Sequence, residues 1–200
     1  MTITIVYDNQ AHPGLKSDWG FSCLLEAQER ILFDTGPTGE GLIFNMDRLG
    51  IGADSISKVV ISHNHWDHTR GLGTLLKMTS QARVINPDSF SEMTELSPGI
   101  HSTGPLGTSI IEQSLVVNTQ KGNVVVTGCA HPGLENILEK ARRLGRIHGV
   151  IGGFHGFARL RELRGIELIA PCHCTKRKQE IRKKYPAQFR EIKAGSIIEI

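Results

Sequence analysis

Four times in this 200-residue chain an apolar run stops at a short turn that delivers a histidine. Val60-Ile61 leads through Ser62 to His63, and Val124-Val125-Val126 leads through Thr127-Gly128-Cys129-Ala130 to His131. Val150-Ile151 leads through Gly152-Gly153-Phe154 to His155, and Leu168-Ile169 leads through Ala170-Pro171-Cys172 to His173. Short β-branched runs bounded by Gly and Pro read as strands. Strand ends on one edge of an α/β sheet converge on a common crevice, where such folds place ligands. The repeat therefore demands buried strands whose polar ends gather at one edge.

Helical patterns alternate with the strand-like runs over most of the length, which indicates a layered α/β fold. Strands are expected at Ile3 to Tyr7, Phe21 to Leu25, Ile31 to Phe33, Val59 to Ile61 and Arg83 to Ile85. Later strands are expected at Ser109 to Asn118, Asn123 to Thr127, Val150 to Ile151, Glu167 to Ile169 and Ser196 to Ile200. Helices are expected at Gly41 to Leu49, Leu72 to Met78, Leu134 to Leu144, Phe157 to Leu163 and Lys176 to Lys184. Between Pro87 and Gly107 the pattern weakens into Ser, Thr, Pro and Gly, and a long irregular loop is expected there.

A chain of this length fits one domain, residues 1–200, with a sizeable core. Hydrophobic residues at 39% and charged residues at 22% describe a globular rather than a disordered protein. No apolar run is long enough to span a bilayer and the first residues lack signal-peptide features, so no membrane association and a cytoplasmic location are expected. Cys23, Cys129, Cys172 and Cys174 read as reduced. Cys172 and Cys174 flank His173 and could be thiolate ligands, with small buried cysteines the favoured reading. A net charge of +3 is too mild to argue for nucleic acid, although six basic residues crowd into Lys176 to Lys184.

Three histidines and an aspartate fall within positions 63 to 68. His63 and His65 lie two apart after an apolar strand, so in extended backbone both imidazoles project to one side and can grip one ion. Asp67 and His68 follow at a turn and can reach a second ion. Imidazole and carboxylate donors suit zinc, iron or manganese. Asp67 could instead cap a helix. His12, His101 and His148 lack the strand-turn context and read as surface or loop residues.

The run His63-Asn64-His65-Trp66-Asp67-His68 resembles the H-x-H-x-D-H signature of the metallo-β-lactamase superfamily. Phe33-Asp34-Thr35-Gly36 resembles its early Asp-x-Gly turn, and His131 and His173 resemble its third and fifth motifs. The resemblance covers nearly the whole chain and implies a four-layer αββα sandwich, two mixed sheets with helices on the outer faces. It implies two divalent ions, zinc first with iron or manganese as alternatives, the second site partly occupied. His63, His65 and His131 would hold one ion, and Asp67, His68 and His173 the other. Asp34 would orient a ligand histidine. Asp67 would double as a proton acceptor where the second ion is missing.

Within the superfamily, Gly99 to Gly104, Glu112 to Leu115, Thr127 to Gly133, Gly152 to His155 and His173-Cys174-Thr175 resemble the branch named for 7,8-dihydropterin-6-methyl-4-(β-D-ribofuranosyl)-aminobenzene-5'-phosphate synthase. That branch implies joining a dihydropterin diphosphate to an aminobenzene ribotide with loss of diphosphate. Three positions depart from the pattern. Gly153 and His155 stand where most dinuclear relatives carry a bridging aspartate, making His155 a further candidate ligand. Trp19 stands where the branch tends to have a histidine, and Lys176 where it tends to have a glycine. The chain is also shorter than typical branch members around Pro87 to Pro98.

The expected function is a metal-dependent hydrolase or transferase, working through a metal-activated water or metal-bound phosphate on a small phosphorylated or ester substrate. Arg70 and Lys176 are candidate phosphate contacts. The alternatives are an RNA or nucleotide phosphodiesterase, for which 200 residues leave little room for an RNA-gripping arm, and a metal-binding protein without turnover. Self-association into a homo-oligomer is compatible with the sequence.

Overall fold

The computed structural model describes residues 1–200. The chain divides into two compact units, Met1–Asn86 with Lys193–Ile200, and Pro87–Ile192. No helix is long and apolar enough to cross a membrane.

The first unit is a six-stranded mixed sheet. Strands β1 (Thr2–Tyr7), β2 (Ser22–Glu26) and β3 (Arg30–Phe33) pair antiparallel, and β12 (Ile197–Glu199) closes the edge beside β1. Strands β4 (Lys58–Val60) and β5 (Arg83–Ile85) add in parallel to β3. Helix α1 (Gly39–Arg48) starts at Thr38, whose hydroxyl accepts from the Gly41 N–H at 3.1 Å, and has Glu40 in its first turn and Arg48 in its last. That order of cap and charge matches the helix dipole. Leu42 and Met46 of α1 and Leu75 of α3 (Leu72–Met78) pack with Val6, Leu24, Leu32, Ile56 and Val59 in the core of this unit. Each such fully buried aliphatic side chain contributes about 1.5–3 kcal/mol. The register sets Phe33 beside Val60, so Asp34 and Ile61 leave two adjacent parallel strands at the same end.

The second unit is also a six-stranded mixed sheet, in the order β11-β10-β9-β8-β7-β6. Strands β6 (Thr94–Ser97), β7 (Ile100–Ser102), β8 (Leu115–Thr119) and β9 (Gly122–Thr127) pair antiparallel. Strands β10 (Ile147–Gly153) and β11 (Leu168–Cys172) then add in parallel. Helix α4 (Leu134–Ala141) buries Leu134, Ile137, Leu138 and Ala141, the i, i+3, i+4, i+7 stripe, against Val125, Val150, Phe154 and Ile169.

The expected loop from Pro87 to Gly107 contains the hairpin β6–β7, closed at Gly99 with φ 75°. Only Ser97 of β6 and Ile100 and Ser102 of β7 are buried, which leaves a weak sequence signal. The expected strand Ser109 to Asn118 forms only from Leu115, because Glu112 pairs with Leu106 in an isolated bridge. Phe157 to Leu163 forms only a 3-10 turn at Leu160–Leu163, and α5 (Lys178–Lys184) begins two residues late. Two histidines expected in loops or at the surface lie on strands: His101 on β7, and His148, largely buried, on β10.

Gly152, the next-to-last residue of β10, has φ +119°, and a Cβ there would lie 2.1 Å from the Thr127 carbonyl oxygen. Gly152→Ala is therefore expected to destabilise the protein by about 2–3 kcal/mol through backbone strain and overlap. Urea unfolding of the two proteins measures the difference, and equal midpoints would show that β10 and β9 can separate without cost.

Candidate metal centre

The sequence-predicted residues divide between the two units: Asp34, His63, His65, Asp67, His68 and Arg70 in the first, His131, His155, His173 and Lys176 in the second. Those of the first unit converge at the ends of β3 and β4. Asp34, at left-handed φ 60°, and Ser62, His63 and His68 are fully buried. The Asp34 carboxylate accepts the Ser62 N–H, the Ser62 hydroxyl and His68 Nδ1, each at 2.7 Å. Since the one Ser62 hydroxyl proton goes to Asp34, Ser62 Oγ must accept from His63 Nδ1, 2.9 Å away. Both rings thus carry their proton on Nδ1 and keep a lone pair on Nε2. A carboxylate behind a histidine fixes tautomer and ring angle in this way in metal sites.

His65 leads into the four-residue helix α2 (Trp66–Thr69). Its carbonyl accepts from the Thr69 hydroxyl at 3.0 Å, and the His68 carbonyl accepts both the N–H (2.7 Å) and the hydroxyl (2.9 Å) of Thr35. Asp67 lies in the first helical turn, while the cap position belongs to His65, so Asp67 does not cap the helix. His63 Nε2 is 3.0 Å from His65 Nδ1, and His68 Nε2 is 3.7 Å from an Asp67 carboxylate oxygen. Two donors on one tetrahedral ion, each bonded at about 2.0–2.1 Å, stand roughly 3.3 Å apart. Both pairs bracket that spacing. Nitrogen and carboxylate donors oriented from behind by a buried carboxylate fit a divalent cation. Arg70 is exposed and stacks over the Trp66 ring at 4.9 Å.

In the second unit, β9, β10 and β11 end at the loops that carry His131, His155 and His173. The His131 and His155 rings lie 4.8 Å apart. Ala130, His155 and His173 all take left-handed backbone, φ 56°, 42° and 48°. Three non-glycine residues in that region, each in a histidine-bearing loop, mark a strained edge of the kind found at functional sites. The strain at Ala130 is held by Glu112, a buried carboxylate. Its Oε1 accepts the N–H groups of Cys129 (2.9 Å) and Ala130 (2.8 Å), and its Oε2 accepts that of His131 (2.8 Å). Sequence reasoning did not assign Glu112 or Ser62 a role. The available signal for Glu112 was a carboxylate directly after the apolar pair Ile110-Ile111.

Cys129 and Cys174 are both buried, and Cys174 Sγ donates to the Cys129 carbonyl at 3.8 Å. A hydrogen bond from the Cys129 thiol, then contacts from the backbone N–H and ring of His155, hold the Cys174 thiol below its ordinary pKa against the opposing effect of burial. Gly153 has no space for a side chain, since a Cβ there would meet Gly128 O at 2.3 Å and Cys174 Sγ at 2.7 Å. Lys176 is exposed, and its N–H donates to the His155 carbonyl at 2.9 Å.

Two mixed sheets, with histidine, aspartate and cysteine groups beyond their parallel strand ends that could hold a metal ion, define the class of α/β protein. The chain is similar to the metallo-β-lactamase superfamily over part of its length and has that fold. A sequence profile of the metallo-beta-lactamase superfamily matches residues 22–107. The chain is 27% identical to a Methanocaldococcus jannaschii protein named 7,8-dihydropterin-6-methyl-4-(beta-D-ribofuranosyl)-aminobenzene-5'-phosphate synthase, over 92% of this chain and 90% of that one. Among solved structures it matches Tm1679, described as a metal-dependent hydrolase of the beta-lactamase superfamily, with TM-score 0.83 and 27% identity over 100% of this chain and 99% of the other. The metallo-beta-lactamase fold protein YhfI from Bacillus subtilis matches with TM-score 0.72 and 13% identity over 100% and 99%, a likeness of fold.

Proposed function

We propose that this chain, working as one domain over residues 1–200, is a metal-dependent hydrolase or transferase acting on a small phosphorylated or ester-bearing molecule. Transfer chemistry resembling the dihydropterin synthase named above falls within that class. His63, His65, Asp67, His68, His131, His155 and His173 are the proposed donors for two divalent ions, zinc first. The chemistry such ions supply when bound is water activated near neutral pH and stabilised negative charge on phosphoryl or acyl oxygens.

The observation that carries the reading is the Asp34 clamp. By accepting from Ser62 and His68 it fixes the Nδ1 protons of His63 and His68 and leaves both Nε2 lone pairs for ligation. A histidine buried for packing alone needs no such relay. Asp67, in the first turn of α2, offers a carboxylate as proton acceptor, and the exposed side chains of Arg70 and Lys176 offer positive charge to a substrate phosphate.

Chelation followed by metal return tests the proposal. The protein is assayed on a panel of phosphomonoesters, phosphodiesters, lactones and a pterin diphosphate with an aminobenzene ribotide. Turnover of at least one small substrate is expected to disappear on chelation and return with zinc, iron(II) or manganese. Retained metal with no turnover on any substrate would overturn the enzyme assignment in favour of a metal-binding protein, and hydrolysis confined to RNA would replace the substrate class.

A further inference from the structure

We infer that Cys129 and Cys174 are thiolate ligands which, with His173, give the metal centre a soft donor face. This rests on the metal-centre reading proposed above. The ligand atoms of Cys129, His173 and Cys174 all lie within 4.8 Å of one another. Two thiolates on one tetrahedral zinc, each at about 2.3 Å, stand roughly 3.8 Å apart, so small side-chain rotations suffice.

The loops hold the sulfurs there at a cost that packing alone does not explain. Glu112 fixes the backbone from Cys129 to His131, and the strained turn at His173 carries Cys174 back toward the Cys129 carbonyl. Thr175 locks that turn by donating to the Cys172 carbonyl at 2.7 Å and accepting the Phe154 N–H at 3.0 Å. Gly153 leaves the gap that Cys174 Sγ fills. An imidazole beside the pair gives an independent indication of a ligand: His155 Nδ1 is buried without a hydrogen-bond partner. It is the natural further donor once an ion is present. Thiolate donors favour zinc or iron(II) over magnesium or calcium, which prefer oxygen. The aspartate absent at Gly153 would thus be offset by sulfur.

Cadmium titration of the chelated full-length protein under reducing conditions tests this by ultraviolet absorption, with bound ion counted by elemental analysis. A sulfur-to-cadmium charge-transfer band is expected to grow with bound cadmium. It should weaken in Cys129→Ser and in Cys174→Ser, disappear in the double variant, and survive in Cys23→Ser. Should the serine variants fail to fold, cadmium protection of Cys129 and Cys174 from alkylation in the unaltered protein replaces them, and unchanged alkylation refutes thiolate ligation. Bound cadmium without the band, or a band that persists in a folded double variant, overturns the inference and leaves the histidine centre standing. No bound cadmium at all overturns both.

Discussion

His65→Ala is expected to yield a folded protein that binds less metal and shows no measurable turnover. His65 is exposed at the head of α2, so its truncation leaves the core of the first unit intact. What it removes is the nitrogen 3.0 Å from His63 Nε2. Asp34→Asn should act less severely on metal binding, because it disturbs orientation rather than deleting a donor. An amide in place of the carboxylate cannot accept from the Ser62 N–H, the Ser62 hydroxyl and His68 Nδ1 together without turning its NH2 toward one of them. Loss of such an orienting partner lowers metal affinity by about 10–100-fold, and His65→Ala should exceed that range. Elemental analysis and metal titration rank the two variants, with circular dichroism as the check on folding. Full metal occupancy in His65→Ala would remove it from the ligand set.

The candidate ligand positions stood out more clearly in the sequence than the segments that hold them. The strand-turn-histidine repeat located the ends of β4, β9, β10 and β11, because apolar runs buried on both faces leave a strong signal. Asp34 was found through its motif, and the structure supplies its physics: it follows β3 where β4 delivers Ser62 and His63. The misreadings have separate causes. Ser109 to Ser114 has strand-like composition, yet it bends so that Glu112 can reach the Cys129–His131 loop, a long-range demand that local propensity does not encode. The β6–β7 hairpin was missed because its strands are short and half-buried. The grouping of Cys129 with Cys174 was not legible, because 45 residues of sequence separate them.

Glu112→Ala is expected to be the most destabilising single change outside the apolar cores. The carboxylate is buried and satisfies three backbone N–H groups in one loop. Removing it leaves three donors to find other partners, each costing about 1–3 kcal/mol if unmet, so a loss of about 3–6 kcal/mol follows once partial relaxation is allowed. Against a typical domain stability of about 5–15 kcal/mol, that loss approaches the whole margin. Glu112→Gln separates the two roles of the residue. Its oxygen can keep the Cys129 and Ala130 bonds, but its NH2 then faces the His131 N–H, donor against donor. The glutamine variant should therefore fold, lose about half as much stability as the alanine variant, and bind metal more weakly through the displaced His131. Urea unfolding of both variants, with metal titration of the glutamine form, checks the pair. A Glu112→Ala midpoint equal to that of the parent would mean that water replaces the carboxylate, and that the left-handed turn at Ala130 is held by the β9–β10 pairing instead.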